Sequence, residues 1–270
     1  MTLSPQLFSL LTTLVEERSG LHYQLVDLAL IESKVVNRAV ESNFDSLLDY
    51  YYFIRYDPAG SQELDRLVEA LVVHETFFFR EAEQLSALIE VVIAPAVAQN
   101  RRPRVWCAAC ATGEEPYTLA MLLDERGLLS SVEIVASDIS SRALDRARKA
   151  RYGGRSLRSL PVAAKDRWLS PVDEGVEVAP RIRERVVWHR VNLVEPAAVE
   201  ALGTFDAIVC RNVLIYFQDQ AAIRVVETIS SALREGGLLL VGVSESLLRF
   251  GTALRCEERA GTFFYQRASA

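Results

Sequence analysis

The feature that most limits what this chain can fold into is an alternation that begins near residue 100. Short apolar runs end in small or polar residues, and helical stretches follow them. Arg104–Ala108 leads to a helix through Leu119–Leu123, and Val132–Ala136, ending in Ser137-Asp138, leads to a helix from Ser140 to Ala150. Phe205–Cys210 leads to the helix Gln220–Leu233, for which Gly236-Gly237 is the expected stop, and the strands Leu238–Val243 and Thr262–Gln266 close the series. Runs that are apolar at every position read as strands covered on both faces, with the intervening helices as the cover. The expectation is an α/β fold with a doubly wound, mostly parallel sheet. Residues 151 to about 187 break the alternation. Gly153-Gly154, Pro161, Pro171, Gly175 and Pro180 punctuate them, and Val176, Val178, Ile182 and Val186 alternate with polar residues, which predicts a small antiparallel β-subdomain inserted in the sheet domain.

The first 75 residues carry helical patterning only. Ser4 reads as an N-cap, Pro5 as the first helical residue, Leu7, Leu10, Leu11 and Leu14 as one stripe, and Gly20 as the stop. Leu25–Val40 puts Leu28, Ile31, Val35 and Val36 on one side. Phe44–Tyr52 and Gln62–Val73 follow, separated by the turn Asp57-Pro58-Ala59-Gly60. An N-terminal all-helical domain over 1–75 is predicted.

Charge and composition narrow the function. The formal net charge is −6, whereas a partner built on phosphates calls for a basic patch, so no nucleic-acid partner is expected. No apolar run approaches the ~20 residues that span a bilayer, and no basic segment precedes an apolar run at the N-terminus. A cytoplasmic protein, not integral to the membrane, is expected. The four cysteines, Cys107, Cys110, Cys210 and Cys256, then read as reduced. Cys107-x-x-Cys110 closes an apolar strand, and no second pair stands at zinc spacing, so no metal site is expected.

Four segments carry the chemistry. In the first, Val105-Trp106-Cys107-Ala108-Ala109-Cys110-Ala111-Thr112-Gly113-Glu114-Glu115-Pro116-Tyr117, a buried strand runs into small residues, one glycine and two acids at a helix start. Small residues admit a ligand close to the backbone at the carboxyl edge of the sheet. The acids oppose a pyrophosphate and suit a cationic ligand such as S-adenosylmethionine; they also suit a plain helix N-terminus. Second, Asp138 ends the next strand at roughly the ~20-residue interval at which an acid accepts ribose hydroxyls. It can equally cap the following helix, a role open to Ser140 as well. Third, the strand Phe205–Cys210 ends in Arg211-Asn212, and Val213-Leu214-Ile215-Tyr216-Phe217 follows without the prolines that grip a flipped base. Fourth, His74-Glu75-Thr76-Phe77-Phe78-Phe79-Arg80 sets three aromatics beside a cation. On a helix, Thr76 and Arg80 would share a face and address one site, while the rings suit either a sulfonium or interdomain packing.

Together these segments resemble the CheR family of chemotaxis receptor methyltransferases, motif by motif and over essentially the whole chain. The matching elements are His74-Glu75-Thr76-Phe77-Phe78-Phe79-Arg80, Ala111-Thr112-Gly113-Glu114-Glu115-Pro116-Tyr117, Ala136-Ser137-Asp138-Ile139, Cys210-Arg211-Asn212-Val213-Leu214-Ile215-Tyr216-Phe217 and the later Ser244-Glu245-Ser246. The resemblance implies S-adenosylmethionine as cofactor, S-adenosylhomocysteine as product, and cofactor contacts at His74, Thr76, Arg80, Glu115, Asp138, Asn192, Leu193, Arg211 and Asn212. It places Arg80 and Tyr216 near the methyl acceptor. It makes residues 1–75 a substrate-docking domain, 76–100 a linker helix that contributes to the cofactor site, and 101–270 the catalytic domain.

The implied activity is methylation of glutamate carboxylates on the cytoplasmic domain of a methyl-accepting chemoreceptor. Methylation of another protein or a small molecule, and cofactor sensing without turnover, are the alternatives. Two departures bear on partners. His74 replaces the family's asparagine, and the second helix, basic in well-known members, here sets Lys34 and Arg38 against Asp27, Glu32 and Glu41. The hairpin Leu169–Val176 is short and carries Pro171, so high-affinity binding of a receptor's C-terminal tether peptide by strand addition is not expected.

Overall fold

The computed structural model describes residues 1–267 and divides into two compact units: Met1–Val73 with Leu214–Arg224, and His74–Val213 with the rest of the chain from Val225.

The first unit is built from four helices, α1 (Pro5–Ser19), α2 (Leu28–Glu41), α3 (Leu47–Tyr56) and α4 (Gly60–Leu71). The hydroxyl of Ser4 accepts from Leu7 N, and Gly20 closes α1 in the left-handed conformation. Leu10 is 44% exposed, however; the buried stripe is Leu7, Phe8, Leu11, Leu14 and Val15, a wider face that meets more than one neighbour. The second helix begins at Leu28, after a 3-10 turn over Leu25–Asp27, and buries Ile31, Val35 and Ala39. The third starts later than its aromatic run suggests, because Ser46 is its N-cap. Phe44 stays in the loop and packs on Tyr50 and Phe53. α4 starts at Gly60, where a Cβ would meet Phe53 O at 2.2 Å, so only glycine lets α4 begin that close to α3. Inside this unit the Glu63 carboxylate accepts from Arg38 Nη2 at 2.7 Å and from the Tyr50 hydroxyl at 2.9 Å.

The second unit holds a seven-stranded sheet in the order β6-β2-β1-β7-β8-β10-β9, formed by β1 (Arg104–Ala108), β2 (Glu133–Asp138), β6 (Val186–Arg190), β7 (Phe205–Cys210), β8 (Leu233–Val241), β9 (Arg255–Arg259) and β10 (Thr262–Gln266). β6, β2, β1, β7 and β8 run parallel, and β10 joins β8 antiparallel. The expected doubly wound sheet is therefore present. Its strand order reverses between β1 and β7, which makes the carboxyl ends of those two strands the crevice where such folds bind ligands. Val186, which alternates in step with the hairpin residues, belongs instead to β6 of this sheet, and Ile182 sits in the helical turn Pro180–Arg183. The separate antiparallel sheet has the order β3-β5-β4, with β3 (Arg151–Tyr152), β4 (Leu169–Val172) and β5 (Gly175–Val178).

Two further expectations fail for local reasons, and one strand carried no expectation at all. Gly236-Gly237 does not stop a helix; the helix ends at Ser231, and the glycines lie in β8 where the register against β7 slips, Gly236 with φ 71°. β9 has no apolar alternation, so its charged sequence hides an edge strand. Finally, residues 74–81 are not helical, so Thr76 and Arg80 do not share a helix face. Phe79 (φ 60°) and Glu81 (φ 48°) are left-handed, and helix resumes at Ala82. The three rings take different surroundings, which one helix stripe cannot offer. Phe78 is buried edge-on against Tyr152, and Phe77 lies under the Arg158 guanidinium at 3.7 Å. From Ala82 to Ala98 the chain is helical with a π turn at Ile89–Ile93, which accommodates Pro95, a residue without an N–H whose ring crowds the carbonyl of the preceding turn.

Candidate active site

The loop after β1 turns through left-handed residues at Ala109, Ala111 and Gly113. Alanine holds that conformation at a cost of about 1 kcal/mol or more, so the surroundings must fix the loop. Asp138, at the end of β2, does so: Oδ2 accepts from Ala111 N at 2.8 Å, and Oδ1 accepts from Ser140 N at 2.9 Å. At Gly113 a Cβ would lie 2.8 Å from both Ala147 and Trp188, so the close approach of loop, helix and β6 requires glycine. Ser140, not Asp138, caps the following helix, accepting from Ala143 N at 3.0 Å. The two readings of Asp138 are thereby separated. Each of its carboxylate oxygens keeps lone-pair capacity for a hydroxyl donor. Burial pushes this carboxyl upward, opposed by the backbone N–H groups of Ser140, Ala111 and, most weakly, Ile139, and by the charge of His74.

At the end of β7, Arg211 is buried to 1% side-chain exposure and spends its fork on protein groups. Nε donates to Glu115 Oε2 at 2.8 Å, Nη1 to Gln84 Oε1 at 2.9 Å and Glu81 O at 3.1 Å, and Nη2 to Arg80 O at 2.7 Å. Arg211 therefore fastens the strained turn around Arg80 to the helix that carries Glu115. Burial raises Glu115, while Arg211 and, more weakly, Arg80 pull it down. Arg80 itself spends Nη1 on Glu75 O at 3.2 Å and lies over the Phe77 ring. Asn212, left-handed at φ 57°, has its N–H held by Glu245 Oε2 at 2.6 Å, and the same oxygen accepts from Gly242 N at 2.9 Å.

The structure thus brings Arg80, Glu115 and Arg211 to one cluster, and sets His74 within electrostatic reach of Asp138. Asn192 and Leu193 follow β6 directly, and Val191 N bonds Asp138 O at 3.0 Å. Thr76 is half-buried in the non-helical segment. Tyr216 falls in the helical unit, where its carbonyl accepts from His22 N at 2.9 Å. Sequence reasoning gave no role to Gln84, Ser156 or Glu245, and read Glu114 only together with Glu115. Glu245 stands inside a recognised motif, and a second acid beside Glu115 was visible, but Gln84 and Ser156 gave no signal. Cys107 and Cys110 are buried thiols, both raised by burial.

The residues present fit a cationic nucleoside. Asp138 can take hydroxyl donors, and the Glu81 Oε2 carboxylate oxygen is buried without a hydrogen-bond partner beside Arg211, in the same cluster as Glu115. An ammonium or sulfonium would suit that carboxylate oxygen, which lies 3.6 Å from Arg211 Nη1 and accepts no hydrogen bond, whereas a pyrophosphate would not.

Comparison with known proteins agrees. The model of the CheR methyltransferase SAM binding domain matches residues 74–261, and that of the CheR methyltransferase all-alpha domain matches residues 6–72. Chemotaxis protein methyltransferase 2 of Vibrio cholerae is 32% identical over 93% of this chain and 89% of its own length. Chemotaxis protein methyltransferase 1 of Pseudomonas aeruginosa is 31% identical over 89% of this chain and 90% of its own. A protein from the same organism named probable biofilm formation methyltransferase WspC is 33% identical over 87% of this chain but only 56% of its own length. With both domain models in chain order and an acid-rich loop shaped for S-adenosylmethionine, the chain belongs to the CheR methyltransferase family.

Proposed function

We propose that this protein transfers a methyl group to glutamate side-chain carboxylates on the cytoplasmic domain of a bacterial chemoreceptor, as a protein-glutamate O-methyltransferase of sensory adaptation. The observation that carries the reading is Arg80: it sits in the cofactor cluster and commits one N–H to Glu75 O, which leaves most of its planar fork for an incoming carboxylate. S-adenosylmethionine, when bound, supplies a methyl group on a sulfonium. Asp138 holds the ribose hydroxyls; His74, Thr76, Glu115, Asn192, Leu193 and Asn212 complete the cofactor contacts, with Arg211 acting chiefly through Glu115.

A glutamate of pKa ~4.3 is already ionised at neutral pH, so no general base is needed. What remains for the protein is to strip water from a well-solvated carboxylate and hold it in line. Arg80 steers the acceptor. The helical domain docks the receptor. Its second helix, Leu28–Glu41, has two bases, Lys34 and Arg38, against two acids, Glu32 and Glu41, so a receptor surface less acidic than usual, and an association weakly dependent on salt, follow.

Incubation with tritiated S-adenosylmethionine and receptor-containing membranes tests the reading. The expected label is base-labile and released as methanol; a base-stable product would overturn it. The relative named for biofilm formation favours a second reading, in which the receptor belongs to a system governing surface growth, and membranes carrying that receptor class would then be the better acceptor.

A further inference from the structure

Glu114 takes no part in the cofactor contacts carried over from the family, yet it is 1% exposed and its polar contacts lead to the turn that carries Arg80. Its Oε2 accepts from Thr112 Oγ1 at 2.7 Å, in the cofactor loop, and its Oε1 accepts from Ser156 Oγ at 2.7 Å, in the inserted segment. Its carbonyl accepts from Thr118 Oγ1 at 2.7 Å. The same two partners hold the strained turn: Ser156 O accepts from Phe78 N at 2.9 Å, and Thr118 Oγ1 accepts from Phe79 N at 3.0 Å. Tyr152 closes the ring of contacts, donating to Thr112 O at 2.6 Å and meeting Phe78 edge-on at 4.9 Å.

One route therefore runs from the Glu114 side chain through Ser156 to Phe78, and a second from its main-chain carbonyl through Thr118 to Phe79, the residues just before Arg80. Left-handed Phe79 and Glu81 on either side of Arg80 persist only where their surroundings hold them. An acid placed merely to complement a helix N-terminus would sit in water and avoid the cost of desolvation. Glu114 instead is buried among hydroxyl donors.

We infer that Glu114 is a positioning residue for methyl transfer: it joins the cofactor loop, the inserted segment and the Phe78–Arg80 turn, and so sets where the Arg80 guanidinium stands. The inference rests on the proposed place of Arg80 in the cofactor site. Affinity for S-adenosylhomocysteine, measured by calorimetry, tests it without an acceptor. Glu114→Ala should weaken binding about tenfold, near 1.4 kcal/mol, and Glu114→Gln, which keeps polar atoms at both hydroxyls, should recover it to within about threefold. Ser156→Ala removes a single hydroxyl and serves where Glu114→Ala does not fold. In an Arg80→Ala background either substitution should cost at least about threefold less than in the native chain, because the group they position is gone. Additive losses beside a defective Arg80→Ala would assign Glu114 a structural role only and overturn the inference. If Arg80→Ala binds as tightly as the native chain, the placement of Arg80 is what falls, and the inference falls with it.

Discussion

Replacing Arg211 by methionine perturbs the node on which most of the active site depends. Methionine keeps similar length and apolar bulk but removes four hydrogen bonds, to Glu115, Gln84 and the carbonyls of Arg80 and Glu81. It also leaves the Glu115 carboxylate buried without its main cation. Hydrogen bonds to a charged group contribute about 1.5–3 kcal/mol each, but those sharing one guanidinium are not additive. Breaking a buried ion pair by removing one partner costs about 3–5 kcal/mol, and that is the loss expected here. The three tryptophans, Trp106, Trp168 and Trp188, all lie in the catalytic unit, so their fluorescence during urea unfolding reports this unit selectively. With a slope of about 2–3 kcal/mol per molar urea, the midpoint should fall by roughly 1–2 M. Affinity for S-adenosylhomocysteine should fall as well, since Glu115 and the Arg80 turn lose their common tether. A midpoint within 0.3 M (about 1 kcal/mol) of the native one, with unchanged affinity, would refute the view of Arg211 as the clamp.

Asp138→Ala removes the acceptor for the ribose hydroxyls and the staple to Ala111; calorimetry should show S-adenosylhomocysteine affinity reduced about 100-fold, from two charged hydrogen bonds of roughly 1.5 kcal/mol each. Glu63→Leu strands Arg38 and Tyr50 in the helical unit and should lower its stability by about 3–5 kcal/mol, seen as an earlier loss of far-ultraviolet dichroism while tryptophan emission holds. Glu114, Glu115 and Asp138 are all raised by burial, so the folded catalytic unit binds more protons than the unfolded chain. Its stability should therefore fall as pH rises from the ordinary carboxylate range near 4 through the folded values, and a urea midpoint that climbs from pH 5 to pH 7 would contradict this. A receptor C-terminal peptide should give no binding heat by strand addition, because the outward edge of β4 lacks a free N–H: Pro171 has none, and Leu169 N already donates to Lys165 O. A stoichiometric micromolar signal would overturn that expectation.

The parallel strands β1, β2, β7 and β8 were legible because each contains a run of residues buried on both sides, and Phe205–Cys210 falls where the pattern puts it, whereas the parallel strand β6 is largely exposed and gave no such run. The cap of α1 was equally plain, since Ser4, Pro5 and Gly20 act through local backbone chemistry. What stayed hidden depends on contacts distant in sequence. Helical spacing at Thr76 and Arg80 is overridden by Arg211, Ser156 and Thr118, which hold the turn from outside it. Of the site, the strand-end polar residues Asp138, Arg211 and Asn212 could be picked out by position. Glu114 and Glu115 looked alike in the sequence, and only their partners, hydroxyls for one and a guanidinium for the other, separate them.

The charged strand β9 has a consequence outside the active site. A sheet that ends in an open row of main-chain donors and acceptors invites the same row of another molecule, and long parallel sheets that assemble slowly are exposed to that hazard while they fold. Arg255, Glu257, Glu258 and Arg259 turn this border into a row of solvated charges, with Glu257 paired to both arginines. Two copies brought edge to edge would have to bury those charges against one another. The sequence that concealed the strand is thus also what discourages this protein from polymerising through it.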